Sequence, residues 1–400
     1  MKSYKHLFSR AFAAAPGRLH FAAHSHHLWP DASYEGHIEA WDDAAHLADR
    51  KWERIFGQVI PQAQRNIASE LHLPAPSTIS FAPSTHELLV RIFSARAESR
   101  PLDVLTSDGE FHSFRRQSGR WAEDGRVRLR VVPCEPFGTF TERYLAAVAE
   151  KAPDIAFLSH VMFKTGLRFD GANELAALAR PDGMWAVLDL YHSFMAMPCD
   201  FSVVAERVFL LGGGYKYAMA GEGAAYMHAP TGFAQRPQNT GWFADFGAIE
   251  AKQGEIAYGR DGSRFLGATF DATGVYRFNA VRAMLAREGL DTHAISARLA
   301  ALREALCTAI ASGEAGVLAE AELLHPNAAG PQARFISLRH PKATHWKAKL
   351  FEHDIITDAR DNVLRIGLGL YHDAEDIEAL CAVTKRALGP GAGEPSPSFG

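Results

Sequence analysis

Short, uninterrupted apolar runs punctuate the middle of this chain. DIAFLSH (154–160), MWAVLDL (184–190) and VFLLGGG (208–214) lack the polar alternation of a half-exposed strand. Such runs predict strands buried on both faces, as in a parallel sheet. Between the first two, ANELAALARPDG has helical spacing and is expected to stop at Pro181 and Gly183. Strand–helix–strand alternation predicts an α/β domain with right-handed crossovers. The pattern changes after about residue 285. THAISARLAALREALCTAIASGE reads as a long amphipathic helix, and ARFISLRH and VLRIGLGLY read as strands. The expected organisation is an N-terminal segment (1–35) packing with a small domain, a large domain (36–284), and a small α+β domain (285–388). GPGAGEPSPSFG (389–400) reads as a disordered tail.

The ends of the apolar runs carry the chemistry. In open α/β sheets, ligands bind beyond the carboxyl ends of the strands. There the chain places Ser159 and His160, then Asp189 and His192, then Tyr215 and Lys216. A lysine shielded from water can lose its proton and become a nucleophile. Alone, Asp189 reads as a turn residue and Lys216 as a solvated loop lysine. Together, in this order on consecutive strands, they match the minimal pair for pyridoxal phosphate, an amine for the aldehyde and a carboxylate for the ring nitrogen. Upstream, Ser84-Thr85-His86-Glu87 forms a capping box ahead of an apolar helical run. That predicts a helix start, and such an N-terminus also suits a phosphate.

Composition narrows the classes. The chain has 400 residues, 47% of them hydrophobic, enough for a large core. A formal charge of −4 offers nothing to nucleic acid or to an anionic membrane. The N-terminal apolar stretch is interrupted by Ser9 and Arg10, and no run reaches membrane-spanning length. A cytoplasmic protein is expected. Cys134, Cys199, Cys307 and Cys381 are scattered, without a zinc or disulfide pattern. His24, His26 and His27 lack a companion ligand cluster, so no metal is expected.

Four segments together resemble the class V group of fold-type I pyridoxal-phosphate enzymes, and kynureninase within it. They are LHFAAHSHHLWP (19–30), LSHVMFKTGLRFD (158–170), LDLYHS (188–193) and GGGYKYAMAGEG (212–223). The resemblance implies a large domain with a mostly parallel mixed sheet and flanking helices, plus a smaller α+β C-terminal domain. It implies that Lys216 carries the cofactor and shuttles the α-proton, that Asp189 holds the ring nitrogen, and that His192 touches the ring substituents. Ser84 and Thr85 are implied as phosphate ligands, with Tyr215 and Trp242 in reach, and Phe111 as the ring-stacking residue. Thr269 is implied as a contribution from a second subunit of a homodimer, and Arg365 as the clamp on a substrate carboxylate. His24, Ser25, His26 and His27 stand where relatives have a stretch with a small, flexible residue, and Ser25, His26 and His27 are implied to face the substrate. Met162 and Phe243-Ala244-Asp245 also depart from the kynureninase pattern.

The expected activity is hydrolytic Cβ–Cγ cleavage of kynurenine or a related amino acid, with Tyr215 as acid–base partner. Transamination, lyase or epimerase chemistry on another amino acid remains the alternative, and a non-catalytic cofactor-binding protein the minor one. Cys307 and Cys381 fall in helical patterns, which disfavours desulfuration through a cysteine nucleophile.

Overall fold

A computed structural model describes residues 2–96, 100–248, 256–324 and 330–389. All but the first residue of the expected disordered tail lies outside the described residues. Thirteen strands are described, in three sheets. The largest contains β2 (Ile79–Ala82), β3 (Leu102–Ser107), β4 (Val127–Val132), β5 (Ile155–Ser159), β6 (Trp185–Asp189), β7 (Val208–Gly212) and β8 (Ala225–His228). Its order is β2-β8-β7-β6-β5-β3-β4. β8 runs antiparallel to both neighbours and the other pairs are parallel, so this is a mostly parallel mixed sheet.

Why the apolar runs are continuous is visible in their packing. Ala156, Leu158, Ala186, Leu188 and Leu210 face one core. Ile155, Phe157, Trp185, Val187, Phe209 and Leu211 face the other. Alternate side chains leave opposite sides of a strand, so a sheet covered on both faces needs nonpolar residues at every position. The helix expected to stop at Pro181 ends earlier, at Leu178. Arg180 precedes Pro181, where helical backbone is disfavoured, and its N–H turns to Met184 O.

The second sheet has the order β12-β13-β10-β9 and is antiparallel throughout. It contains β9 (Glu322–Leu323), β10 (Phe335–Arg339), β12 (Asp358–Arg360) and β13 (Val363–Gly367), with the expected long helix at Thr292–Ala311. The N-terminal residues join this part: β1 (Leu19–His20) pairs in parallel with β11 (Ile355–Ile356), and Gly367 N–H donates to Phe21 O at 2.7 Å. The following residues then cross to the large sheet, where His27 N–H donates to Tyr215 O at 3.1 Å. One N-terminal strap therefore ties both sheets together beside Lys216. Among the described residues no helix is long and apolar enough to cross a membrane.

Candidate active site

Parallel register brings the ends of β5 and β6 level, with Ser159 opposite Asp189. β7 ends two strands from β5, and the chain continues through Gly213 and Gly214 to Tyr215 and Lys216. A side chain on Gly213 would place its Cβ 2.3 Å from Tyr191 Oη, so the glycine admits the Tyr191 ring against the lysine loop. Together these ends enclose a cavity of about 190 Å³. Ser84, Thr85, Phe111, Asp189, His192, Tyr215 and Lys216 all line it.

Lys216 is buried, and among the described residues its amine makes neither a hydrogen bond nor an ion pair. Its Nζ lies 4.5 Å from the centre of the Tyr191 ring, 5.2 Å from Tyr215 and 5.3 Å from Phe111. Burial lowers the lysine's pKa, opposed by the Asp189 charge, with Arg365 acting in the same direction as burial. Burial likewise raises the Asp189 carboxyl, against the Tyr191 N–H and the Lys216 charge. That N–H donates to Asp189 Oδ1 at 2.8 Å, while Oδ2 takes no bond from a described residue. Burial also keeps His192 neutral, with its Nδ1 unpartnered, and pushes the Tyr215 phenol up to about 12.

The helix Thr85–Ala95 starts where expected, and Ser84 Oγ accepts the Glu87 N–H at 3.3 Å. Only half of the expected capping box is present. The Glu87 carboxylate turns along the helix to Arg91 Nη2, 3.1 Å away, where it gains a charged partner. Thr85 and His86 thus present the first turn to the cavity.

The remaining expected residues divide. Arg365 is buried behind Phe163, which lines the cavity, and is paired with Asp358. His26 and Ser25 are outside the lining, but the His26 ring stacks 5.0 Å from that of the lining residue Tyr215, and Ser25 Oγ lies 3.3 Å from His26 Nδ1. His27 is not brought to the cavity: it is buried between Phe8 and Tyr371, with Nδ1 on Leu28 O. Trp242 and Thr269 meet each other through Trp242 Nε1 to Thr269 Oγ1 at 3.3 Å, on the exposed surface and outside the lining. Met162, which departs from the kynureninase pattern, is buried with Sδ against Ser107 Oγ and does not line the cavity.

Residues unremarked in the sequence complete the site. Tyr191 and Phe163 lie inside two of the four recognised segments, and their aromatic character is the available signal. Glu110, one residue before Phe111, had none. It is fully buried, 2.5 Å from Ser107 Oγ, and accepts the Ser159 N–H at 2.9 Å and hydroxyl at 2.6 Å. Burial raises its pKa to about 8, against these hydrogen bonds and with the Asp189 charge. A larger cleft, about 490 Å³, lies at the opposite ends of β3 and β4, between Phe93, Trp121 and Arg126. No lysine, cysteine, histidine or carboxylate lines it among the described residues, so size alone does not mark the site.

The donor set fits pyridoxal phosphate. An amine without a bonded partner suits an aldehyde, a half-engaged carboxylate suits a pyridinium, aromatic faces suit a ring, and a hydroxyl-bearing helix start suits a phosphate.

Glu110 supplies a pH test. Folded, it keeps its proton up to about pH 8, whereas unfolded it would release it above about 4.5. Through that window the unfolded state binds fewer protons, so this group's contribution to stability falls as pH rises. Glu110→Gln should remove that contribution. Denaturant unfolding at about pH 5.5 and 7.5 should show a smaller pH-dependent loss in the variant than in the wild type. An equal loss would mean that Glu110 is ionised in the fold.

The chain matches the aminotransferase class-V family over residues 37–380. No curated protein sequence matches it. Its fold is similar to that of C-DES, solved with glycine covalently linked to PLP (TM-score 0.78, 17% identity, covering 96% of this chain and 99% of that one). It is also similar to the cysteine desulfurase of Thermococcus onnurineus NA1 (TM-score 0.77, 18% identity, covering 98% and 99%). A third similar structure is the cysteine desulfurase CsdA of Escherichia coli (TM-score 0.74, 16% identity, covering 95% and 98%). With the match spanning most of its length, this chain belongs to the class-V aminotransferase family, the fold-type I enzymes that use pyridoxal phosphate.

Proposed function

We propose that Lys216 carries the cofactor and that the enzyme cleaves the Cβ–Cγ bond of kynurenine or a related amino acid by hydrolysis. The observation that carries this reading is the buried, unpaired Lys216 amine sharing one cavity with the half-engaged Asp189 carboxylate. Bound pyridoxal phosphate supplies an electron sink for negative charge at the substrate's α carbon. Asp189 would keep a proton on the ring nitrogen, Phe111 would offer its face to the ring, and His192 would contact the ring substituents. Ser84 and Thr85, at a helix N-terminus, would hold the phosphate. Lys216 removes and returns the α proton, and the Tyr215 hydroxyl, still protonated at neutral pH, serves as acid near the β carbon. Arg365 takes the substrate's carboxylate, and Ser25 and His26 border the entrance.

The cysteines support the choice against desulfuration through an enzyme thiol. None of the four lines the cavity, and burial raises all their pKa values, Cys199 to about 12. The active form of a nucleophilic cysteine is the thiolate, which these sites disfavour. Transamination, elimination and epimerisation draw on the same lysine and carboxylate, and their products differ.

A homodimer forms part of the same proposal. Tyr34, Ile38 and Trp41 are exposed at i, i+4, i+7 spacing on the helix Asp31–Leu47, Trp41 by 72%. This helix packs against Thr273–Arg287, which starts four residues after Thr269. A covered apolar stripe there would set Thr269 and Trp242 toward a second subunit.

Cofactor-loaded protein incubated with kynurenine and 3-hydroxykynurenine should release alanine and the matching anthranilates. Lys216→Ala should lose at least about a hundredfold in rate. Keto acid or ammonia from other amino acids, with no anthranilate from either substrate, would overturn the hydrolytic reading. Trp41→Glu should shift sedimentation toward the monomer; a wild type that sediments as a monomer would remove the dimer.

A further inference from the structure

Arg365 does not face the cavity with an open guanidinium. Its side chain is 3% exposed, Nη1 donates to Phe163 O, Nη2 is ion-paired with Asp358 Oδ2, and Nε is buried without a partner. Asp358 is the residue directly across the ladder, on β12 opposite Arg365 on β13. Its second oxygen, Oδ1, accepts from Arg360 Nη1 at 2.8 Å. Two guanidiniums thus share one carboxylate, and this ion-paired cluster is one anion short of neutral.

Among the described residues, the surroundings do not fill the deficit. Asp361, the next acid along the chain, is taken by Lys164 at 2.6 Å. His24 Nε2 stands 4.0 Å from Asp358 Oδ2, and burial keeps that imidazole neutral. The ring has room there because Gly367 lacks a side chain, whose Cβ would lie 2.1 Å from His24 Nδ1. The two arginines differ in exposure: Arg360 is 36% exposed at the side chain, whereas Arg365 is 3% exposed and packs against Phe163 and Phe335.

We propose that Asp358 and Arg360 form an exchange pair for Arg365: a substrate carboxylate takes the guanidinium edge that Asp358 holds, and Asp358 stays paired with Arg360. This rests on the reading of Arg365 as the carboxylate clamp. Asp358 is then an internal competitor that sets how strongly a ligand's carboxylate must bind. Arg360 is the positioning residue that makes its release affordable, since a buried carboxylate left without a cation would be costly. Ligands lacking a carboxylate cannot trigger the exchange.

The two residues should therefore act with opposite signs, which damage to the fold would not produce. Calorimetric titration of the cofactor-loaded protein with L-alanine, and with ethylamine, which lacks the carboxylate, reads the effect directly. Asp358→Asn should bind L-alanine at least about fivefold tighter and Arg360→Gln at least about fivefold weaker, a typical span for one coupling. Ethylamine binding should be unchanged in both. Unchanged or weaker L-alanine binding in Asp358→Asn overturns the proposal; if that variant does not fold, unchanged binding in the half-exposed Arg360→Gln overturns it alone. Arg365→Gln separates the two levels. If it leaves L-alanine binding intact, the clamp reading itself fails and the exchange pair with it; if it abolishes binding while the other variants bind as wild type, only the exchange pair falls.

Discussion

Placing an ammonium and a carboxylate out of water is expensive unless something repays the lost hydration. In this chain Lys216 and Asp189 share a small cavity at the carboxyl end of the large sheet, and each lowers the other's cost through its charge. Among the described residues, neither spends its capacity on a protein partner beyond the Tyr191 N–H. Much of the surrounding structure keeps this pair dry and facing one space. The parallel register fixes Asp189, the glycine run lets Tyr191 close over the amine, and the N-terminal strap clips the Tyr215 carbonyl. Glu110 and its two serines stiffen the ends of β3 and β5 behind Phe111 without adding charge below about pH 8.

The same logic of counted charges extends to the second sheet. Arg365, Asp358 and Arg360 sit on two antiparallel strands, so backbone pairing alone sets their spacing. A cationic remainder of one beside the cavity suits a substrate with a single carboxylate at that end. On the proposed reading, proton handling would come from the large sheet and carboxylate recognition from the small one. The strap joins them, with His24 packed on Gly367 and Phe335 and His26 lying over Tyr215.

The large sheet and its strand-end residues were legible because burial on both faces leaves continuous apolar runs, and because Asp189 and Lys216 follow two of them directly. The Ser84 helix start was legible through its hydroxyl, although Glu87 found Arg91 instead of closing the box. Partners supplied by distant elements were not legible. Glu110 gains its meaning from Ser159 across the sheet, and nothing near it in sequence announces that. β12 is three residues long, too short for a period, so Asp358 could not be seen opposite Arg365. His27 shows the converse: a polar residue in a suggestive segment, satisfied by Leu28 O and packed among aromatic rings. His24, weighed in the sequence only as a metal ligand, is the imidazole that stands beside the carboxylate cluster.

The account turns on Lys216 as the point of attachment. A crystal structure of the protein grown with pyridoxal phosphate tests this most directly. Density continuous from Lys216 Nζ into the cofactor, with the ring against Phe111, its nitrogen toward Asp189 and its phosphate at Ser84 and Thr85, is the predicted result. Cofactor joined to another lysine, or seated outside this cavity, would contradict it.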